Sequence, residues 1–167
     1  MAIAQDEQAL RAMQAQCVHA LAEAYYACEI IETYFSHIGT LDPALIADGT
    51  YFVVEDEGRL VGSGGWSVRR PHYEQAAEPT APLLRGFFVH PDYARRGVGS
   101  ALVERVERAV FRAGHDEARL TAMLSGVAFY RAHDYTVLRH RTVDLGDSVV
   151  MPVVDMAKRL GEHRMTA

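Results

Sequence analysis

FVHPDYARRGVGSAL, residues 88 to 102, ends an apolar strand at Val89 and starts an amphipathic helix near Gly97. The junction is rich in backbone donors. The first N–H groups of a helix have no intrahelical acceptor and sit at the positive end of its dipole. Gly97 and Gly99 lack side chains that would keep a ligand from that end, and Arg95 and Arg96 add charge-assisted donors. A diphosphate is the natural occupant of such a turn. Two glycines one residue apart also occur at ordinary glycine-rich helix starts, so the surrounding chain has to decide. No lysine follows the glycines, against a nucleotide-binding P-loop. The third glycine of a dinucleotide fold is missing too, and an antiparallel hairpin precedes the turn.

Downstream, residues 97–113 carry Val98, Leu102, Val106, Ala109, Val110 and Ala113 on one face and Glu104, Arg105, Glu107, Arg108 and Arg112 on the other, with Gly114 placed as a C-terminal cap. A strand is expected over 118–124, a short helix from about Gly126 to His133, and strands near 135–142 and 149–156. Upstream, 83–89 (LLRGFFV) reads as a strand. Residues 51–56 and 60–68 read as a hairpin turning at Glu57 and Gly58. The proline-bearing stretch 69–82 reads as a loop. Glu7 to His37 has helical spacing without proline or glycine, as one helix or two abutting ones. Asp42 and Pro43 cap a short helix through Ala47 that ends at Gly49. The order gives a mixed sheet flanked by helices in one domain spanning 1–167.

Composition narrows the partners. With 167 residues the chain can bury a core without metal or disulfide, and no stretch approaches the roughly 20 apolar residues of a membrane span. The net charge is -5, and the arginines are scattered among acids, which disfavours nucleic acid. No secretory or transit signal is visible, so a cytoplasmic location is expected, and the arginine-rich, lysine-poor composition suggests a bacterial source. Cys17 and Cys28 would share a helix face, too far apart to bridge, as two small buried hydrophobes.

The turn and its setting resemble the GNAT acetyltransferase superfamily. Its signature run is a Gln or Arg, two variable residues, Gly, a variable residue, then Gly or Ala, after an apolar strand and a Val-His-Pro-Asp-like link. Val89, His90, Pro91, Asp92, Gly97, Val98 and Gly99 match it, whereas Ala94 replaces the usual Gln or Arg, with Arg95 beside it. Residues 123–135 (MLSGVAFYRAHDY) resemble the family's later motif, with Tyr130 on its key tyrosine. Met123 stands in place of a common asparagine and Gly126 in place of a common alanine.

The resemblance implies a GNAT fold: six to seven strands, antiparallel at the N-terminal part, with a parallel pair at the coenzyme cleft. The family's opening strand would be at most a stub near Met1 to Ala4. The activity implied is acetyl transfer from acetyl-CoA to a primary amine of a small molecule or peptide, directly in a ternary complex and without a metal. Phe88, Val89, Arg95, Arg96, Gly97, Val98, Gly99 and Ser100 would bind the coenzyme. The Val89 N–H would polarise the thioester carbonyl, and Tyr130 would protonate the departing sulfur. Trp66, Arg69, Arg70 and Arg85 are candidates for the acceptor pocket; inward-facing arginines would suit an acceptor with a carboxylate or phosphate. For the general base, His72, Glu74 and His90 are available and none is singled out. A non-catalytic acyl-CoA-binding module on the same fold is the other reading, as is a partner-binding domain. Late strands could pair two copies into a homodimer.

Overall fold

The computed structural model describes residues 1–71 and 81–161. Helices α1 (Glu7–Ala22), α2 (Cys28–His37) and α3 (Pro43–Ala47) precede strands β1 (Tyr51–Asp56), β2 (Arg59–Ser67) and β3 (Leu83–Val89). After these come α4 (Val98–Arg112), β4 (Glu117–Met123), α5 (Val127–Ala132), β5 (Thr136–Gly146) and β6 (Val149–Arg159). The expected mixed sheet is present with six strands in the order β1-β2-β3-β4-β6-β5. Near the N-terminus one bond, from the Ala2 N–H to the Tyr51 carbonyl (2.9 Å), is made before the chain turns into a 3-10 segment, so the opening stub forms no strand.

Local chemistry explains most boundaries. Glu57 and Gly58 both have positive φ, 47° and 78°, the turn geometry that matches strand twist in a two-residue hairpin. The Asp42 side chain accepts the Ala44 N–H at 3.0 Å and caps α3 at Pro43. The separation of α1 from α2 has a tertiary cause. The Tyr26 hydroxyl donates to the Pro152 carbonyl at 2.8 Å and accepts the Leu124 N–H at 2.7 Å, holding residues 23–27 out of helix. The break therefore turns the two cysteines apart. Cys17 is buried, which pushes its thiol up to about 12, whereas Cys28 is exposed, contrary to the expectation that both would be buried.

Helix α4 covers one face of the sheet, burying Leu102, Val103, Val106 and Val110 against Leu84, Leu120, Val154 and Met156. Glu107, expected on the charged face, is buried instead, because the one lysine, Lys158, reaches it with Nζ at 2.7 Å from both carboxylate oxygens. Helices α1, α2 and α3 cover the other face with two further apolar clusters.

Two features of β3 open a cleft in the sheet and set the main-chain groups along it. The strand pairs in parallel with β4 only at Leu83↔Arg119 and Leu84↔Leu120, after which the two strands part. Its pairing with β2 also slips a residue near Gly86, which has φ 65°. The Gly86 carbonyl is held there by the Tyr51 hydroxyl at 2.7 Å, itself bonded to Gln14 Nε2 (2.7 Å) and Ser63 Oγ (3.0 Å). Such a bulge changes which main-chain groups face each neighbouring strand.

Candidate active site

The turn before α4 is shaped by left-handed residues. Arg95 has φ 63° and Gly97, the N-cap of α4, has φ 83°. Gly97 is there for its conformation: a Cβ would meet nothing within 4 Å, so the space above the helix end is open. Gly99 has a different reason, since a Cβ there would lie 3.1 Å from the Phe129 ring. The residues expected to hold the coenzyme then separate by side chain. Arg95 and Ser100 line the cavity beside the turn, and Ser100 Oγ lies 3.1 Å from His133 Nε2. Arg96 stacks its guanidinium 5.3 Å over the Tyr93 ring, and Val98 packs into the α4 core. A diphosphate fits this donor set: free first-turn N–H groups, the helix dipole, one cavity-facing arginine and no Cβ at Gly97.

Where β3 and β4 part, a cavity of about 1020 Å³ runs through the sheet. At one end it is lined by Gly97, Gly99 and Tyr130; on the α1–α3 side it is lined by Arg85, Arg119 and Arg139 among others. The register decides which main-chain groups enter it. The His90 N–H donates to the Val61 carbonyl at 2.9 Å, and Val89 is opposite Gly62. In the alternation of an antiparallel ladder, Val89 then turns its N–H away from β2 and toward the opening. The same alternation commits the main chain of Phe88 to β2. Phe88 lines the cavity with its main chain committed to β2, and Phe87 and Val89 line it on either side.

Tyr130 lines the cavity within an aromatic cluster, its ring edge-to-face with Phe87, Phe129 and Tyr135 at 6.3, 5.2 and 5.6 Å. Burial holds its phenol above the ordinary tyrosine range, so it keeps its proton through neutral pH. Among the expected acceptor residues, Arg85 and Arg70 line the cavity. Arg69 does not: it is exposed and paired with Asp48. Trp66 does not either, because it faces the α4 side and packs against His115 at 6.1 Å. The alternation of β2 sends its side chain to the opposite face from Ser63 and Gly65.

Of the candidate bases, His72 and Glu74 lie outside the described residues. His90 is buried away from the cavity. Its Nε2 lies 2.6 Å from Arg59 and 3.1 Å from Gln16, and its Nδ1 accepts the Asp92 N–H at 3.2 Å, which leaves it a structural part. The lone glycine inside LLRGFFV is a legible sign of a bulge, which a plain strand assignment misses. Arg119, Arg139, Arg141 and Asp155 are unanticipated at the cavity. They come from three strands that no sequence spacing connects.

Comparison with known proteins agrees with this geometry. The chain is similar in structure to a GCN5-related N-acetyltransferase from Rhodopseudomonas palustris (21% identity, 95% of this chain and 92% of that one, TM-score 0.75). It is also similar to the PaiA N-acetyltransferase of Thermoplasma acidophilum, solved with coenzyme A (15% identity, 95% of each chain, TM-score 0.65). A third similar structure is a GNAT family acetyltransferase of Brucella melitensis, solved with acetyl-CoA (18% identity, 96% and 85%, TM-score 0.59). At these identities the likeness is one of fold. No curated protein matches by sequence. Residues 47–137, more than half of the chain, match the family described as acetyltransferase (GNAT) domain, and the chain belongs to that family.

Proposed function

We propose that this chain, as a single domain, moves the acetyl group of acetyl-CoA directly onto a primary amine within a ternary complex. The observation that carries this reading is the continuous cavity between the parted strands, with the Gly97 turn and Tyr130 at one end and an open, arginine-lined side beyond. The coenzyme supplies an acetyl thioester; the protein supplies position and charge. The first-turn N–H groups of α4 and Arg95 hold the diphosphate. The Val89 N–H donates to the carbonyl oxygen as negative charge develops there. Tyr130, kept protonated by its burial, gives its proton to the sulfur that leaves. No carboxylate lining the described part of the cavity is free to act as base: Asp42 caps α3 and pairs with Arg85, and Asp155 is bonded to Arg139 and Arg141. The amine is then captured in its neutral form or deprotonated through water.

A non-catalytic acyl-CoA-binding module would need no open space on the far side of the splay, and the cavity's extent favours the enzyme. The composition is the ground for a bacterial cytoplasmic setting. Thiol release from acetyl-CoA across a panel of amines, with acetyl-CoA binding measured by calorimetry, tests the reading. Binding with amine-dependent release is expected; binding without release from any amine favours the module, and no binding at all overturns both.

A further inference from the structure

The acceptor side of the cavity has a built-in chemical preference. Thr121 is in register with Asp155, Asp155 with Arg139, and Arg85 is one residue beyond the last β3–β4 pair. These four residues therefore form a row across β3, β4, β6 and β5, interrupted by the opening between β3 and β4. All lie on the face covered by α1, α2 and α3, since Arg85 bonds Asp42 at the start of α3 at 2.8 Å. Asp155 accepts from Thr121 Oγ1 at 2.8 Å, Arg139 Nε at 2.7 Å and Arg141 Nε at 2.8 Å. Burial alone would push its pKa up, but the bonds from Arg139, Arg141 and Thr121 outweigh that and hold it below the usual carboxylate range. Arg119, at the foot of the splay, is held by Glu117 through Nε at 2.5 Å.

A guanidinium has five N–H donors in a planar fork. Among the described residues, Arg85, Arg119 and Arg139 are each held through one nitrogen, so each is oriented by a carboxylate and still has donors to offer. Three oriented forks lining one cavity suit an oxyanion, which a guanidinium is able to bind in bidentate fashion. A polyamine would meet like charge there. The facing wall is largely apolar: Val18, Leu21 and Ala22 of α1, Tyr34 of α2 and Ile38 just after it line the same cavity.

We propose that the acceptor is an amine that also carries a carboxylate beside an apolar body, as an apolar α-amino acid does. The carboxylate lies against the forks of Arg85, Arg119 and Arg139, and the apolar side chain against the α1–α2 wall. This rests on the acetyl-transfer reading. The amine nitrogen bonds to the acetyl carbon as the carbon–sulfur bond breaks. The nitrogen loses a proton to water and the sulfur gains one, giving an N-acetyl amino acid and free coenzyme A.

Matched pairs test it: leucine against isopentylamine and phenylalanine against phenethylamine, with O-phosphoethanolamine and spermidine alongside, in a thiol-release assay. The carboxylate-bearing member of each pair is expected to show at least about tenfold higher kcat/KM, the size of one charge-assisted hydrogen bond. Arg139→Gln, at a largely exposed side chain, is expected to narrow the leucine-to-isopentylamine ratio by about tenfold while the KM for acetyl-CoA is kept. Preference for isopentylamine, spermidine or O-phosphoethanolamine overturns the proposal, as does an unchanged ratio in Arg139→Gln, or release from isopentylamine with none from any carboxylate-bearing amine. Calorimetry of leucine against leucinamide separates the two readings. Leucine binding without thiol release would sink acetyl transfer and leave the carboxylate site, whereas release that favours isopentylamine would sink the site and leave the transfer.

Discussion

The two ends of the cavity are built in opposite ways. The end by α4 is made mostly of backbone from one short run: left-handed Arg95 and Gly97, the first N–H groups of the helix, and the Val89 N–H freed by the splay. The end under α1–α3 is made of side chains, with Arg85 of β3, Arg119 of β4 and Arg139 of β5 oriented by the carboxylates of Asp42, Glu117 and Asp155. A backbone site recognises what is common to a family of ligands, because main-chain groups vary little with sequence. A side-chain site is free to vary, so it is where specificity is set. The difference predicts that substitutions at the first end act on the coenzyme and the chemistry, and those at the second on the choice of acceptor.

The largest effect expected at the first end is in Tyr130→Phe. A general acid contributes about 10²–10⁴-fold, so kcat should fall by at least about 100-fold while acetyl-CoA affinity holds. Calorimetry beside thiol release would check this, and an unchanged kcat would remove Tyr130 from the mechanism. Gly86→Ala attacks the junction of the two ends. A Cβ at that position would lie 2.7 Å from the Tyr51 hydroxyl on a backbone of φ 65°. A cost of about 1–3 kcal/mol is expected, seen as a lower Tm together with lost turnover at saturating acetyl-CoA. Wild-type Tm and turnover would show that the bulge does not set the Val89 N–H.

Gly97→Val should be milder and confined to the coenzyme. A Cβ there meets no protein atom within 4 Å, so within the protein the left-handed conformation at φ 83° is what is penalised, by about 1–2 kcal/mol, while the side chain enters the space where the diphosphate is proposed to sit. Acetyl-CoA affinity is expected to fall roughly tenfold, that being 1.4 kcal/mol, with the leucine-to-isopentylamine ratio unchanged; a shifted ratio would mean that the two ends are not independent. The smallest effect at neutral pH is on proton linkage. Burial raises the phenols of Tyr51, Tyr130 and Tyr135. A group raised in the folded state contributes stability that is whole below its unfolded value and lost as pH rises toward the folded one. Thermal melts should therefore be flat in this respect from pH 7 to 9 and fall above about pH 10. Tyr130→Phe should lessen that fall, and an identical alkaline profile in the variant would contradict the assigned burial.

How far these features could be read in advance depends on how local they are. Strands 83–89 and 51–56 are bounded in the fold as their composition and turn residues suggest, and α4 differs by one residue at each end. The Gly97 turn was legible because its function lies in consecutive backbone units. Glu107 was misassigned because a buried acid requires a partner, and its partner Lys158 is 51 residues away. Trp66 was misplaced for a related reason: the face that a β2 residue takes depends on the register of the sheet, and Arg69, past the end of β2, pairs with the distant Asp48. The break between α1 and α2 had no local signal, since Tyr26 is held by Leu124 and Pro152.

By itself, the sequence determined most of the elements, their order and the glycine turn before α4, since helix periodicity, capping and left-handed glycine are properties of neighbouring residues. Only the tertiary structure decided where β3 and β4 part, which way the Val89 N–H points, and that Arg85, Arg119 and Arg139 line one cavity. Those outcomes depend on strand register and on a bulge propped by Tyr51. A one-residue change in either sends every later side chain of the strand to the other face.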